Sequence, residues 1–170
     1  MEKITLKLFE FYNLDAELNG ATNPQTGEKT SSGLVQEKLP LVVKYWLTDL
    51  AKKVAAEKTA IEDLKNDLIR KYGKPDDRGG ISIPVLVDQL DEQGNTVTFT
   101  DNEGKEQTRK VVNPDYQAFD KEFNELLQDE KDLEYKPFNL SDFENVETTG
   151  NYATFFKLIK VEEPKMVSMS

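Results

Sequence analysis

The chain has 170 residues, 37% of them hydrophobic, with 32 acidic against 22 basic side chains and a formal net charge of −10. One sizeable core fits that length, and charge of that sign repels nucleic-acid phosphates and anionic membrane surfaces. Cysteine and histidine are both absent, which excludes disulfides, zinc ribbons, thiol nucleophiles, Ser-His-Asp triads and histidine-held metals.

The first segment, "KITLKLF", alternates Ile4, Leu6 and Leu8 with Lys3, Thr5 and Lys7, the period of a half-buried strand. Its neighbour "MEKITLKLFEF" carries charges where a secretory leader has its apolar run, and no apolar run approaches a membrane span, so a cytoplasmic protein is expected. Phe11, Tyr12, Leu14 and Leu18 have the spacing of a short helix or turn between Phe9 and Leu18. The run from Asn19 to Gly33 has turn residues and no apolar period, which predicts a projecting loop.

From Glu37 to Gly73 no helix breaker interrupts the chain after Pro40. Leu39, Val43, Trp46, Leu50, Val54, Ile61, Leu64, Leu68 and Tyr72 form one helical stripe, with Pro40 in the first turn, Gly73 as the cap and Pro75 as the stop. The stripe predicts a helix about 50 Å long at 1.5 Å per residue. Leu41, Val42, Tyr45 and Leu47 widen its first half, which is therefore expected to lie among other elements. Its second half, Ile61 to Tyr72, is a narrow seam flanked by charge that needs one partner.

"PDDRGG" is a turn cluster, and "ISIPVLV" reads as an edge strand or connector because of Pro84. Thr96–Thr100, the turn "DNEG" and the return to Val112 predict a β-hairpin over 95–112 with Val97 and Phe99 on it. Asn113, Pro114 and Asp115 are helix-start residues, and Tyr116, Phe119, Phe123 and Leu126/Leu127 supply the apolar face of a second helix that suits the seam of the first. "YKPFNLSDF" reads as extended with a turn at Ser141-Asp142, Thr149 as the cap of a short helix through Tyr152, Phe155, Phe156 and Ile159, and 161–170 as an extended tail. No internal repeat is evident. The expected fold is a single α+β domain: the long helix packed with the second and the short C-terminal helix, plus the N-terminal strand and the hairpin.

Paired acids are what a histidine-free hydrolase would use. Asp76-Asp77, Asp101/Glu103 and Asp129/Glu130/Asp132 fall in loops or on solvated faces, where carboxylates ordinarily serve solubility. "DNEG" lacks the alternating oxygen ligands and flanking helices of a calcium loop, and "RGG" at Arg78–Gly80 lacks the lysine and hydroxyl that grip a phosphate. Tyr45, Trp46, Phe155 and Phe156 sit in helical stripes, where aromatics are core rather than a stacking platform. No cofactor, no metal and no catalytic residue are expected.

The order "ITLKLFEF", "KLPLVVKYWL", a long charged helix ending in "LIRKYG", an extended polar insert, "FDKEFNELL" and "FNLSDFENVETTGNYATFFKLI" resembles small uncharacterised proteins encoded among the structural and late genes of tailed bacteriophages. "KYWLTDLAKKVAAEK" and the acidic, cysteine-free composition also resemble phages of the crAss-like kind. The resemblance implies a non-enzymatic virion or assembly component at a portal, connector ring, capsid or tail, found in the host cytoplasm during assembly and in the virion. Its partners would be other phage structural proteins in a homo- or hetero-oligomer, without nucleic acid or membrane. Candidate partner contacts are Ile61, Leu64, Leu68, Tyr72, Val97, Phe99, Met166 and Val167. The alternative is an early protein that inhibits a host factor by presenting carboxylates as a nucleic-acid mimic, a field that the interleaved Lys52, Lys53, Lys58, Lys65, Arg70 and Lys71 dilute.

Overall fold

The structure is a computed structural model in which residues 1–146 and 151–160 are described. In chain order the elements are β1 (Glu2–Lys7), α1 (Leu8–Asn19), β2 (Gly20–Thr22), β3 (Lys29–Ser32), α2 (Leu41–Tyr72), β4 (Lys74–Pro75), β5 (Ile81–Ser82), β6 (Leu86–Asp88), β7 (Thr98–Thr100), β8 (Glu106–Thr108), β9 (Lys110–Val112), α3 (Pro114–Leu127), β10 (Glu130–Tyr135), β11 (Phe138–Asn139), α4 (Ala153–Phe156) and β12 (Ile159–Lys160). The fold is α+β, as expected, with the long helix its longest element. The chain divides into two compact units, Met1–Ile61 with Leu127–Ser170, and Glu62–Leu126. Thr149 and the tail with Met166 and Val167 lie outside the described residues.

In the first unit, β1 pairs antiparallel with β10, setting Ile4 opposite Leu133 and Glu2 opposite Tyr135. Leu6, Leu133 and Tyr135 are buried. On the outer face Lys3 meets Glu134 at 3.5 Å, and the Thr5 hydroxyl donates to Asp132 Oδ1 at 2.6 Å. Such cross-strand pairs each contribute a few tenths of a kcal/mol. Glu130 and Asp132 are solvated, as expected, but they belong to a strand, β10, whose apolar signal is limited to Leu133 and Tyr135.

A two-stranded ribbon is marginal alone, and here α1 and α2 cover it. Phe11, Leu14 and Leu18 of α1 and Leu47, Leu50 and Val54 of α2 are all buried, together with Phe155 and Leu158 near the C-terminus. Each such side chain contributes roughly 1.5–3 kcal/mol of burial. Asp15 of α1, also buried, accepts from Asn19 Nδ2 at 2.9 Å and from Lys58 Nζ of α2 at 3.2 Å, and Asn19 Nδ2 reaches Ala51 O at 3.3 Å. These bonds stitch α1 to α2 over the core.

The run after Asn19 is a hairpin rather than a loop: β2 pairs with β3, and Asn23 closes the turn with Gly27 and Glu28. Its ladder is built from polar residues, so the backbone bonds that order it leave no apolar period to read. A Cβ on Gly33 would lie 2.0 Å from Leu18 O, so glycine alone lets this return strand pass the end of α1.

α2 starts and stops where expected, with Lys44 N–H on Pro40 O at 2.9 Å and Gly73 N–H on Ile69 O at 2.7 Å. Its first half departs from the expectation of close packing all round. Leu47 is buried, but Leu41 is 84% and Tyr45 65% exposed, and Val42 is exposed with them. Phe156, expected in the core beside Phe155, is exposed as well. An apolar stripe states which side chains favour burial; it does not state that this chain supplies the covering element.

The second unit holds the last turns of α2, four short strand pairings and α3. β4 pairs β5, β6 pairs β9, β7 pairs β8, and Leu90 bridges Thr96. The β6–β9 ribbon and two hairpins therefore meet at one point. There Gln89 N–H donates to Arg109 O, Arg109 N–H to Val97 O and Val97 N–H to Gln89 O, each at 2.8 Å, closing a ring of three bonds. The expected hairpin over 95–112 is thus one whole arm and part of each of the other two.

Three turns in this unit share one construction: Asp76, Asp91 and Asp101 each accept at Oδ1 from the backbone N–H two and four residues on. The glycine three residues on (Gly79, Gly94 or Gly104) takes φ near +80°, the geometry of a type I turn with a glycine bulge. This Asp-x-x-Gly recurrence is a short repeat of turn chemistry that the search for long periods passes over.

Candidate interaction surfaces

Asn113 accepts Asp115 N–H at Oδ1 (3.0 Å) and donates from Nδ2 to Pro84 O (2.9 Å), so the residue that caps α3 also ties it to the segment just before β6. Phe119 and Phe123 stack at 5.9 Å between centroids, with Tyr116 at 6.1 Å from Phe119. Two lysines of α2 reach this helix: Lys65 stands 5.6 Å over the Phe123 ring, and Lys71 pairs with Glu122 at 3.0 Å. The hydrogen bond between them raises the Lys71 pKa and lowers that of Glu122. α3 is thus a partner for the seam of α2, as the spacing implied.

The candidate seam residues fare differently. Ile61, in the first unit, is 3% exposed, so it is a core residue and not an outward contact. Leu64 is 48% exposed, while Leu68 and Tyr72 are half-buried. Tyr72 lines a cavity of about 280 Å³ with Pro84, Val87, Asn113 and Asp115. On the hairpins Phe99 is 45% exposed and Val97 half-buried at the three-bond ring.

Sequence reasoning missed most of the apolar surface of this unit. Ile81, Val85, Leu86, Leu90, Val111 and Val112 are all exposed. The register sets Leu86 opposite Val112 and Val87 opposite Val111, one pair on each face of the ribbon, with Asp88 paired to Lys110 beside them. The available signal is the density of aliphatic residues in "ISIPVLVDQL", which Pro84 marks as an edge strand or connector without saying that its side chains stay exposed. Among the described residues, Phe119 is the one hydrophobic side chain of this unit that is buried.

The acidic candidates have structural work instead of convergent geometry. Asp76 and Asp101 hold turns, and the Lys105 backbone N–H foremost, with the Gln107 amide, lowers the Asp101 pKa. Among the described residues no three acidic side chains converge as a metal site requires, and no helix is long and apolar enough to cross a membrane.

In the first unit, Trp46 is half-buried, with Tyr45 edge-on at 5.1 Å and Lys136 Nζ at 4.8 Å over its ring. It lines a groove of about 330 Å³ with Pro40, Val42, Val43, Pro137 and Phe138. No known family model matches the chain, and no curated protein or solved structure matches it significantly.

Proposed function

We propose that the chain is a non-enzymatic bacteriophage protein, a virion structural or assembly component of the portal, connector, capsid or tail, that works by binding other protein chains. The observation that carries the binding role is the placement of apolar residues in Glu62–Leu126: they line the outside of the hairpins while Phe119 alone among its hydrophobic side chains is buried. Exposed aliphatic side chains gathered in one unit in this way favour protein–protein contacts. The bacteriophage assignment rests on the element order and its resemblance to late-gene phage proteins.

Mass spectrometry of purified virions from a phage encoding this chain tests the reading. Recovery at a stoichiometry matching a ring, capsid or tail position is expected, and absence of the chain from virions overturns the structural role. The exposed ion pairs of α2, including Lys53–Asp49 and Arg70–Asp67, keep its basic and acidic groups mixed. That mixture supports an apolar contact over nucleic-acid mimicry.

A further inference from the structure

α2 carries its buried side chains Leu47, Leu50 and Val54 on one side. Leu41, Tyr45, Thr48, Lys52, Ala56 and Thr59 lie on the opposite side, at steps of four, three, four, four and three residues, the spacing of one helix face. That face meets solvent: Leu41 is 84% and Tyr45 65% exposed, and Lys52, Ala56 and Thr59 are exposed with them. Leu41, Tyr45, Thr48, Asp49 and Lys52 line an open depression of about 490 Å³ along it.

The face is uneven from end to end. Its two large side chains, Leu41 and Tyr45, stand near the start of the helix, and the small Ala56, Thr59 and Ala60 follow about three turns later. Asp49 and Lys52 lie between. Asp49 pairs through Oδ2 with Lys53 of its own helix at 3.2 Å, and Lys52 is in no ion pair among the described residues.

One antiparallel register of two such helices satisfies both the charges and the sizes. Placing Asp49 beside Lys52 of a second copy sets a two-fold axis level with the Leu50–Ala51 peptide, and the symmetry repeats the ion pair. The same register lays Tyr45 over Ala56 of the second copy and Leu41 against its Thr59 and Ala60, so that large meets small at both ends. A parallel pair would instead set Lys52 against Lys52 and Tyr45 against Tyr45.

We propose that the chain forms a two-fold homodimer through this face of α2, with Asp49–Lys52 pairs at its centre and Tyr45 seated on Ala56 at each end. The contact uses residues of the first unit alone and does not rest on the bacteriophage reading. It runs from Leu41 to Ala60, about 30 Å at 1.5 Å per residue. A single helix pair lies at the small end of specific interfaces, under about 1,200 Å², so micromolar rather than nanomolar dissociation is expected.

Sedimentation velocity of the full chain from about 1 µM to 1 mM should show a concentration-dependent dimer. Ala56→Glu, at an exposed helical position, sets an acid against Tyr45 of the second copy and is expected to weaken the dimer at least about tenfold, with the circular dichroism unchanged. Asp49→Lys is expected to weaken it roughly fivefold, since each dimer holds two such pairs. Adding Lys52→Asp to Asp49→Lys should restore it, a recovery that a merely structural role for either residue would not give. The chain has no cysteine, so Tyr45→Cys and Ala56→Cys chains mixed under mild oxidation should form the mixed disulfide dimer, and this decides the matter if Ala56→Glu fails to fold. Neither cysteine variant should crosslink to itself, because each residue and its symmetry mate stand roughly 16 Å apart along the helix at 1.5 Å per residue. A monomer throughout the range, self-crosslinking of Tyr45→Cys, or a dimer indifferent to Ala56→Glu and to the charge exchange overturns the proposal.

Discussion

In the first unit Phe11, Leu14, Leu18, Leu47 and Val54 are closed off from solvent entirely, whereas in the second Leu86, Leu90 and Val112 stand about half in water and Phe119 is the buried hydrophobic side chain. The first is ordered by packing. The second owes much of its order to backbone bonds: three aspartate-glycine turns and a three-bond ring fix the hairpins without a core beneath each one. Apolar residues that are not needed to fold a unit are free to serve another chain. This difference is why the hairpins, not the packed sheet, carry the proposed contact.

The contrast has measurable edges. Leu14→Ala should cost about 2–5 kcal/mol in denaturant unfolding, since it empties a fully buried site. Leu86→Ala should stay within about 0.5 kcal/mol of wild type while reducing incorporation into virions. Equal destabilisation by the two would erase the distinction between the units.

Next in size, Gly33→Ala should destabilise by about 2 kcal/mol or more, because its Cβ meets the Leu18 carbonyl with backbone on both sides. Gly94→Ala, which meets open space but holds φ near +84°, should cost only about 1 kcal/mol. Hydrogen exchange should place that smaller loss at Asp91–Asn95 alone.

A smaller effect comes from pH. Glu17 of α1 is buried, which raises its pKa in the fold, so its ionisation opposes folding as pH rises from the ordinary carboxylate range through the folded value. Glu10 works in the opposite direction: burial would raise its pKa, but the Lys157 ammonium and the Lys7 backbone N–H lower it on balance, so its contribution is lost as pH falls. The melting temperature of Glu17→Gln minus that of wild type should therefore be more positive at pH 7 than at pH 4. A difference that is flat with pH would show that Glu17 pays no ionisation penalty. Least of all, Lys71→Ala should leave the melting temperature unchanged within error, the usual result for an exposed ion pair.

Much of this fold was legible in the residues. Alternation marked β1, Pro40 and Gly73 bracketed α2, and Asn113-Pro114-Asp115 announced α3, because each signal is local and has one physical meaning. β10 was hidden because its partner contributes most of the alternation, and β2–β3 because its ladder is made by polar residues. Tyr45 and Phe156 were misplaced since helical spacing groups side chains on a face without naming what covers it. Glu17 was illegible for a related reason. Its partners, the backbone N–H groups of Thr154 and Phe155, lie more than 130 residues away, and nothing near it in the chain distinguishes it from the other acids.

The ring joining Gln89, Val97 and Arg109 has a bearing on how this chain can vary. Each arm's register is set by the other two, so a one-residue insertion between Val85 and Val112 costs only the local turn bonds at a tip and is ruinous at the ring. Loop length can drift at the Asp91 and Asp101 tips while the node stays fixed. The hairpin ends can thus change without rebuilding the base.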